Sequence, residues 1–568
     1  MINEFWLVQD KLDLAMTIGV PLRLLTYVIY VKGVDSYYHT FSIPKKDGSF
    51  REINAPDGDL KDIQRRLAKA LWIHQEEFYK QNKIRPNIAH AFEKGKSIIT
   101  NANNHRKKRY VLNVDLERFF DSFHFGRVRG YFNKNRQFEL PLEVATIIAQ
   151  LTCYKGKLPQ GAPSSPIITN LIFSIVDIRI IHLASKYHLD YTRYADDMTF
   201  STNDKKFIGN VEKFLAELKR TLNRAGFSLN DEKTRLSYRD SRQAVTGIIV
   251  NEKLGIDRRF CKLTRAMADS LYRTGSFTID GEDGTISQLE GRFSFIHQID
   301  EYNNELCDDP KRKRTSYTLN SREKQYRLFL FYKYFFSPER PVIITEGFTD
   351  INYLKAALKK YADKYPRLVT KIENDGKARF DYHISFLRRT NRLNYFFRLS
   401  KDGACDFRNI YNLYFGKNGF PKLYDELIKK KALHRRNPVI LLFDNEESKG
   451  KPLSEFKKSI GRTDIKNADI ERGICIKGNL FFLTNPKQKH ELNPSSDDCM
   501  IEYLIPKEAH EHKIKGKKFN LNENYDPKTE YGKRDFSYYI LDHYNEIDLS
   551  GFVNLLDSIE RVCFGGKG

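Results

Sequence analysis

The chain has 568 residues, a formal net charge of +23 and a sequence pI near 9.4. This length exceeds what one hydrophobic core usually organises, so two or three domains are expected, and the charge favours a nucleic-acid partner because neutralised phosphates release counterions. The seven cysteines show neither Cys-x-x-Cys nor zinc-ligand spacing, and no long apolar run or signal-like N-terminus is evident. These features argue against a disulfide scaffold, a zinc module and a membrane partner, and they predict a cytoplasmic protein.

Residues 1–90 are predicted to be largely helical. Between Asp59 and Lys80, apolar residues recur at helical spacing on or near one face. A helix here would bury that face against the rest of the domain.

Three carboxylates stand at the ends of predicted strands within residues 91–250. Asp196 and Asp197 occupy a tight turn between two β-favouring stretches, and Asp115 ends an apolar strand. Converging carboxylates bind the two Mg²⁺ ions that clamp the attacking and leaving oxygens of phosphoryl transfer. The pattern predicts a polymerase palm, although an Asp-Asp turn by itself is also a common solvated hairpin tip.

Two further features lie near these carboxylates. Phe120 follows Asp115 by five residues, where a bulky ring would crowd a ribose 2′-hydroxyl. Gln160 and Gly161 belong to a loop of small residues and prolines at 158–166, which precedes a predicted helix. Small residues would let a template base or nucleotide approach the backbone closely, and an ordinary proline-rich loop is the alternative.

Asp115, the Pro-Gln-Gly loop and Tyr-Ala-Asp-Asp at 194–197 resemble, in order and spacing, the motifs of reverse transcriptases. The resemblance implies an α+β right-hand polymerase fold with fingers, palm and thumb. It also implies a two-metal Mg²⁺ site formed by Asp115, Asp196 and Asp197.

The same resemblance implies roles for two flanking segments. Residues 43–51 look like the fingers hairpin, in which Lys46 and Arg51 would hold the triphosphate of an incoming dNTP. Residues 226–234, which include Lys233, look like a later palm motif that contacts substrate.

Two shorter elements resemble bacterial retron reverse transcriptases. Asn101 and His105 frame an Asn-Ala-x-x-His element, and Val-Thr-Gly at 245–247 is followed by Asn251, although either could be a chance match. The resemblance implies recognition of a cognate non-coding RNA, priming from a guanosine 2′-hydroxyl, and a branched multicopy single-stranded DNA (msDNA) product. On this basis Asn101 and His105 are predicted to contact substrate.

The polymerase part is expected to end before residue 341. Residues 251–306 are predicted to be helical with a turn at 281–284, and by position they would form the thumb. Residues 307–340 begin with a polar, charged stretch and are predicted to be a linker.

A second domain is predicted at 341–510, with a C-terminal extension at 511–568. One apolar run ends at Glu346 and is followed by a helix, and a second ends at Asp444 with Glu446 close behind. Acids at the carboxyl ends of parallel strands would meet at one edge of the sheet and form a Mg²⁺ site.

These acids resemble those of TOPRIM domains, an α/β fold with a parallel sheet shared by topoisomerases, bacterial primases and OLD-type nucleases. Glu446 stands where Asp is usual, and the long separation of Glu346 from Asp444 implies an insertion at about 375–430. The resemblance implies Mg²⁺ or Mn²⁺ at this site. Whether Asp350, Asp498 and Glu502 assist it stays open.

The leading hypothesis is a retron reverse transcriptase fused to a TOPRIM nuclease that acts in antiphage defence. A second hypothesis makes the TOPRIM-like part a non-catalytic scaffold that binds nucleic acid and assembles homo-oligomers. A third makes the chain a group II intron or diversity-generating reverse transcriptase. An α/β domain whose strand ends are acidic by chance is the plainest alternative.

Overall fold

The computed structural model describes residues 5–44, 48–84, 86–374, 377–400, 405–432, 437–446, 448–488, 498–522 and 524–565. Two compact units divide the chain, Met1–Arg258 and Arg259–Gly568.

The first unit combines helices with a fingers hairpin and a central sheet. Its helices are α1 Lys11–Ile18, α2 Leu22–Thr26, α3 Gly58–Gln81, α4 Ile98–Asn103, α5 Phe125–Lys134, α6 Leu142–Thr152, α7 Ser165–Lys186 and α8 Val211–Arg224. Its strands are β1 Tyr38–Pro44, β2 Phe50–Pro56, β3 Tyr110–Glu117, β4 Asp190–Tyr194, β5 Asp197–Thr202, β6 Ser228–Tyr238, β7 Ala244–Val245 and β8 Ile248–Ile249.

The palm sheet is antiparallel, with the strand order β4-β5-β3-β6. β3 is central and almost wholly buried because its residues Tyr110–Leu116 are mostly apolar. Strand β5 pairs with β3 so that Asp197 lies opposite Asp115. The register of this one pair therefore places two of the predicted carboxylates side by side.

Helix α3 confirms the helix predicted between Asp59 and Lys80, because its apolar face, which begins at Leu60, is buried. Helix α7 corrects the expectation that no apolar run is long enough for a membrane. By length and composition α7 could cross a membrane, because an 18-residue stretch of it has a mean hydropathy of 1.8. However, 61% of that stretch is buried within the protein. Two helical segments that are bent relative to each other, Lys11–Ile18 and Leu22–Lys32, are also long and apolar enough to cross a membrane when they are counted as one.

The second unit is an α/β structure with many short elements. Its helices are α9 Arg258–Thr274, α10 Ile286–Glu305, α11 Ser321–Phe331, α12 Phe348–Lys360, α13 Asn391–Phe397, α14 Cys405–Phe415, α15 Leu423–Lys429, α16 Pro452–Ile460, α17 Asn467–Glu471, α18 Lys507–His510, α19 Lys533–Asp542 and α20 Val553–Phe564. Its strands are β9 Thr278–Ile279, β10 Glu282–Asp283, β11 Val342–Thr345, β12 Val369–Asn374, β13 Lys377–Tyr382, β14 Ser385–Phe386, β15 Val439–Phe443, β16 Ile474–Lys477, β17 Leu480–Thr484, β18 Lys518–Phe519 and β19 Glu530–Tyr531.

The main sheet of this unit has the order β14-β11-β15-β17-β16, and only β16 runs antiparallel to its neighbour. Both faces are covered, which explains why β11 and β15 are continuous apolar runs. On β15, Val439, Leu441 and Phe443 face one core, while Ile440 and Leu442 face the other.

The predicted thumb and linker do not form separate bodies within this unit. Side chains of α9, α10 and α11 share one core with the sheet, including Leu271, Phe293 and Phe329. The predicted linker 307–340 therefore needs correction, because only its first part is a polar surface segment. From Tyr326 onward its aromatic residues are buried, except for the half-buried Tyr334, and burying them against the sheet removes a large apolar area from water.

The predicted insertion and C-terminal extension are also integrated. Between α12 and β15, strand β14 extends the sheet and α13 to α15 fill one core. Helices α19 and α20 pack with α12 on the other face. Residues 511–568 thus form part of the α/β unit.

A buried ion pair holds the end of strand β4. Arg193 is 1% exposed and Asp177 on α7 is 5% exposed, and the guanidinium donates Nη2 and Nε to this carboxylate at 2.9 and 3.1 Å. Tyr191 donates its hydroxyl to the same carboxylate at 2.8 Å. Arg193 also donates to the carbonyl of Ala195 at 3.0 Å, so it fixes the turn that carries Asp196.

We predict that Asp177→Ala destabilises the protein by about 3–5 kcal/mol, because it leaves Arg193 as an uncompensated buried charge. The matched control is Asp231→Ala, which breaks an exposed pair with Lys219 and should cost less than about 1 kcal/mol. Urea unfolding of both variants beside the wild type measures the difference. Equal unfolding midpoints for the two variants would contradict the assigned role of the buried pair.

Candidate active sites

The first carboxylate cluster is built by the β4–β5 turn and the end of β3. Tyr194 pairs with Asp197, so the turn contains only Ala195 and Asp196, and Ala195 adopts a positive φ of 55°. The amide of Leu116 donates to the carbonyl of Asp196 at 3.2 Å, which ties the turn to β3. Asp115, Asp196 and Asp197 are therefore brought together, as the sequence predicts.

The electrostatics of this cluster reflect like charges at short range. Desolvation, followed by the charges of Asp196 and Asp115, raises the pKa of Asp197 to about 7. Desolvation and the charge of Asp115 also raise the pKa of Asp196. Lys233 compensates in part, because its ammonium lies 3.0 Å from Asp115 Oδ1. The cluster is short of positive charge and suited to a cation.

A cleft beside the cluster contains four of the eight predicted substrate residues. Asp115 and Asp196 line it together with Arg51, Phe120, Gln160 and Lys233. Lys46 lies outside the described residues. The cleft thus places a guanidinium, an aromatic ring and two carboxylates of the cluster around one space.

Gly161 makes a close contact within the protein that the sequence did not predict. Its φ is +115°, and a Cβ added there would lie 2.8 Å from Ile53 Cγ2 and 3.0 Å from the carbonyl oxygen of Asn54. The amide of Asn54 also donates to the carbonyl of Gln160 at 2.8 Å. The close approach that requires glycine is therefore made by the fingers strand β2, which locks the 158–166 loop against the fingers hairpin.

Asn101 and His105 are not substrate-binding residues, and this prediction is corrected. Both are fully buried behind the β4–β5 hairpin. The His105 ring lies 2.6 Å from Thr192 Oγ1 on β4 and 2.7 Å from Ser201 Oγ on β5, and Thr192 donates to Asn101 at 2.6 Å. Burial lowers the pKa of His105 to about 3, so the ring is neutral and acts as a brace between the two strands.

The other retron-like element supports the same region. Thr246 and Gly247, both with positive φ, form the turn between β7 and β8. Thr246 Oγ1 donates to the carbonyl of Ile98 on α4 at 3.4 Å, and Asn113 on β3 donates to the carbonyl of Ala244 at 2.9 Å. This hairpin therefore connects the helix of Asn101 to the strand of Asp115.

The second carboxylate cluster lies at the carboxyl ends of β11 and β15. Glu346 follows β11, and its Oε1 accepts a hydrogen bond from the amide of Asp444 at 3.2 Å. Asp350, in the first turn of α12, accepts from the amide of Gly347 at 2.9 Å. Glu446 is buried, and its Oε1 lies 2.8 Å from the ammonium of Lys451.

Mutual repulsion also marks this second cluster. Desolvation, with added repulsion from Asp350 and Glu446, raises the pKa of Glu346 to about 8. Desolvation and then Glu502 raise the pKa of Asp350 to about 6. Desolvation and then Glu346 raise the pKa of Asp444 well above its usual range. The acids that the sequence placed on separate strands form one electrostatic group.

Lys533 is a member of this site that sequence reasoning missed. It lies on α19, within the predicted C-terminal extension, and its ammonium is 3.1 Å from Glu502 Oε1. Glu502 is 1% exposed, and its Oε2 is buried without a hydrogen-bond partner. Asp498 lies further out and accepts from the amide of Ser448 at 3.1 Å. No local pattern around residue 533 signals this role, because only the packing of α19 on α12 creates it.

Both clusters have the oxygen donors that Mg²⁺ and Mn²⁺ prefer. At the first, burial and then the neighbouring acids raise the pKa values of Asp196 and Asp197, so their ionised forms need a positively charged partner. At the second, the unpartnered buried oxygen of Glu502 indicates the same need. Across the described ranges no three His, Cys, Asp or Glu side chains are already arranged around one ion position.

Solved structures with some likeness to the chain include telomerases from two Candida species. Telomerase from Candida albicans in complex with the TWJ fragment of telomeric RNA is 11% identical, with a TM-score of 0.30, over 51% of this chain and 58% of that one. Apo telomerase from Candida tropicalis is 12% identical, also with a TM-score of 0.30, over 52% and 60%.

Sequence comparisons identify the family. The model of the family described as reverse transcriptase (RNA-dependent DNA polymerase) matches residues 43–254, which lie in the first unit. Half of the chain is 34% identical to 67% of the Retron Mx65 reverse transcriptase of Myxococcus xanthus, and 51% of it is 31% identical to 84% of the Retron Ec86 reverse transcriptase of Escherichia coli. The match to the Retron Mx162 reverse transcriptase of Myxococcus xanthus, at 31% identity, spans 63% of that relative's length. The chain belongs to the retron reverse transcriptases.

Proposed function

We propose that the first unit is an RNA-directed DNA polymerase that copies a cognate non-coding RNA into branched msDNA, starting from a guanosine 2′-hydroxyl. One observation carries this proposal: Asp115 and Asp197 are register partners, and Asp196 lies on the turn tied to them. Family membership supports the choice of retron chemistry. The proposed partners are the RNA, the msDNA and dNTPs, and the proposed location is the cytoplasm.

Each residue of the cleft has a defined part in this mechanism. Asp115, Asp196 and Asp197 would hold divalent cations, which when bound lower the pKa of the primer hydroxyl and neutralise the leaving pyrophosphate. Arg51 donates to the nucleotide's phosphates, because it lines the same cleft. The ring of Phe120 in that cleft crowds a 2′-hydroxyl and so favours dNTPs over ribonucleotides.

We further propose that the second unit is a TOPRIM-like, metal-dependent nuclease that serves as the effector in antiphage defence. Glu346, Asp444 and Glu446 would hold Mg²⁺ or Mn²⁺, with Asp350 and Glu502 completing the acidic site. A bound cation would supply an activated water for phosphodiester cleavage. The support is the convergence of these acids at the carboxyl edge of a largely parallel sheet, where ligands of open α/β sheets collect.

For the polymerase, Asp196→Asn and Asp197→Asn should each reduce DNA synthesis by at least about 100-fold, because each removes charge from the site that stabilises the transition state. Primer extension with purified protein measures this. Asp190→Asn is the matched control, since Asp190 is on the same hairpin but pairs with Lys108 away from the cluster. Wild-type extension rates in the cluster variants would refute the assignment.

For the effector, Glu346→Ala should abolish metal-dependent cleavage of labelled RNA or DNA and phage protection while leaving DNA synthesis unchanged. Glu373→Ala is the control, because Glu373 is an exposed acid paired with Lys371 on the β12–β13 hairpin. If no substrate is cleaved by the wild type with Mg²⁺ or Mn²⁺, and the Glu346 variant still protects, the second unit is a non-catalytic scaffold.

The raised pKa of Asp197 predicts a pH-dependent response to metal. In the folded state Asp197 keeps its proton up to about pH 7, whereas an unfolded aspartate loses its proton at lower pH. The stability of the metal-free protein should therefore fall as the pH rises from the unfolded pKa to about 7. Mg²⁺ binds the ionised form and should therefore raise the melting temperature more at pH 8 than at pH 6. Asp197→Asn should reduce that difference, whereas Asp190→Asn should preserve it. An identical Mg²⁺ response in both variants would contradict cation binding at Asp197.

A further inference from the structure

A pocket in the second unit, remote in sequence from its acidic cluster, is lined by two arginines. Arg327 comes from α11 and Arg398 from the end of α13, and Tyr317 and Phe420 complete the aromatic part of the lining. Within the described ranges, neither guanidinium has a hydrogen-bonded or ion-paired partner. Glu426, an exposed residue at the rim, is the acid that lines the pocket.

The guanidinium of Arg398 contacts two aromatic rings. Its central carbon lies 3.6 Å from the centroid of the Tyr317 ring and 4.3 Å from that of Phe420. These two cation–π contacts hold the guanidinium in place, and its N–H groups make no hydrogen bond to the described residues. A pre-oriented fork of this kind suits the oxygens of a phosphate group and loses little entropy on binding.

Arg327 contributes a buried, unsatisfied donor to the same pocket. Its Nε is buried without a hydrogen-bond partner. Burial, and then the like charge of Arg398, lower the pKa of its guanidinium. A half-buried cation with an unsatisfied donor beside a second cation favours a counter-anion, and Glu426 at the rim offsets this only in part, so the pocket favours a negatively charged ligand.

The aromatic residues of the pocket indicate which class of anion it would bind. Tyr317 is 73% exposed although it contacts Arg398, so much of its ring surface is open to a planar group. The basic residues Lys311 to Lys313 precede it on an exposed segment, and Lys324 also lines the pocket. Stacking surface next to paired guanidiniums is how proteins hold an unpaired base together with its phosphate.

We propose that this pocket binds a phosphate group of a nucleotide or of a single-stranded nucleic acid, with Arg327 and Arg398 on the phosphate and the adjoining base on Tyr317. The site is distinct from both carboxylate clusters and does not depend on the proposed polymerase or nuclease activity. It would give the second unit its own contact with nucleic acid.

The test uses the full-length chain with three probes: inorganic phosphate, AMP, and a short fluorescent single-stranded RNA. Arg398→Gln and Arg327→Gln should each weaken probe binding about tenfold or more, as expected for a lost charge-assisted contact. For the RNA, each variant should also reduce the slope of log affinity against log salt by roughly 0.7. Arg379→Gln, which removes an exposed arginine on β13 outside the pocket, is the matched control and should bind like the wild type.

A second measurement separates ligand binding from a structural role. Because Arg327 is a half-buried cation without an ion-pair partner, Arg327→Gln should leave the ligand-free melting temperature unchanged or raise it, while abolishing stabilisation by AMP or phosphate. Stabilisation of the wild type by AMP and phosphate would identify a nucleotide site, whereas a response to the RNA alone would identify a strand-binding site. Wild-type affinity for all probes in both arginine variants, or a lowered melting temperature with unchanged affinity, would overturn the proposal.

Discussion

Like charges held close together are the constraint on which this structure depends. Each unit gathers carboxylates at the ends of neighbouring strands, and in each the acids raise one another's pKa. Such an arrangement opposes folding until a cation binds, so the surrounding scaffold has to supply the stability. In the first unit that scaffold is the buried strand β3 and its partners, and in the second it is a sheet covered on both faces.

The support of the first cluster comes from residues that are buried behind it. His105 and Asn101 connect β4 to β5 from behind, while Arg193 connects the turn to α7 through Asp177. The Val-Thr-Gly hairpin lies against the helix that carries Asn101. The retron-like elements of this chain thus act on the turn of Asp196 by positioning its two strands, since buried hydrogen bonds between side chains restrict strand movement.

The second unit packs together helices and strands that lie far apart in the sequence. Helices expected to form the thumb bury their apolar faces in the same core as β11 and β15, together with the aromatic end of the predicted linker. On the opposite face, α19 brings Lys533 to Glu502. Helices α9 and α10 therefore belong to the same packed core as the sheet that carries the acidic cluster.

The sequence by itself determined the carboxylates, the order of the motifs and the strand character of β3, β11 and β15, because these depend on local patterns of apolar residues and acids. It did not determine the burial of Asn101 and His105, the contact that requires Gly161, the thumb's core or the role of Lys533. Those depend on which surfaces meet across long separations in the chain, and a polar residue looks the same in a sequence whether it binds substrate or braces two strands. Only tertiary packing decides between these roles, because it sets whether the side chain is exposed to a ligand or satisfied inside the protein.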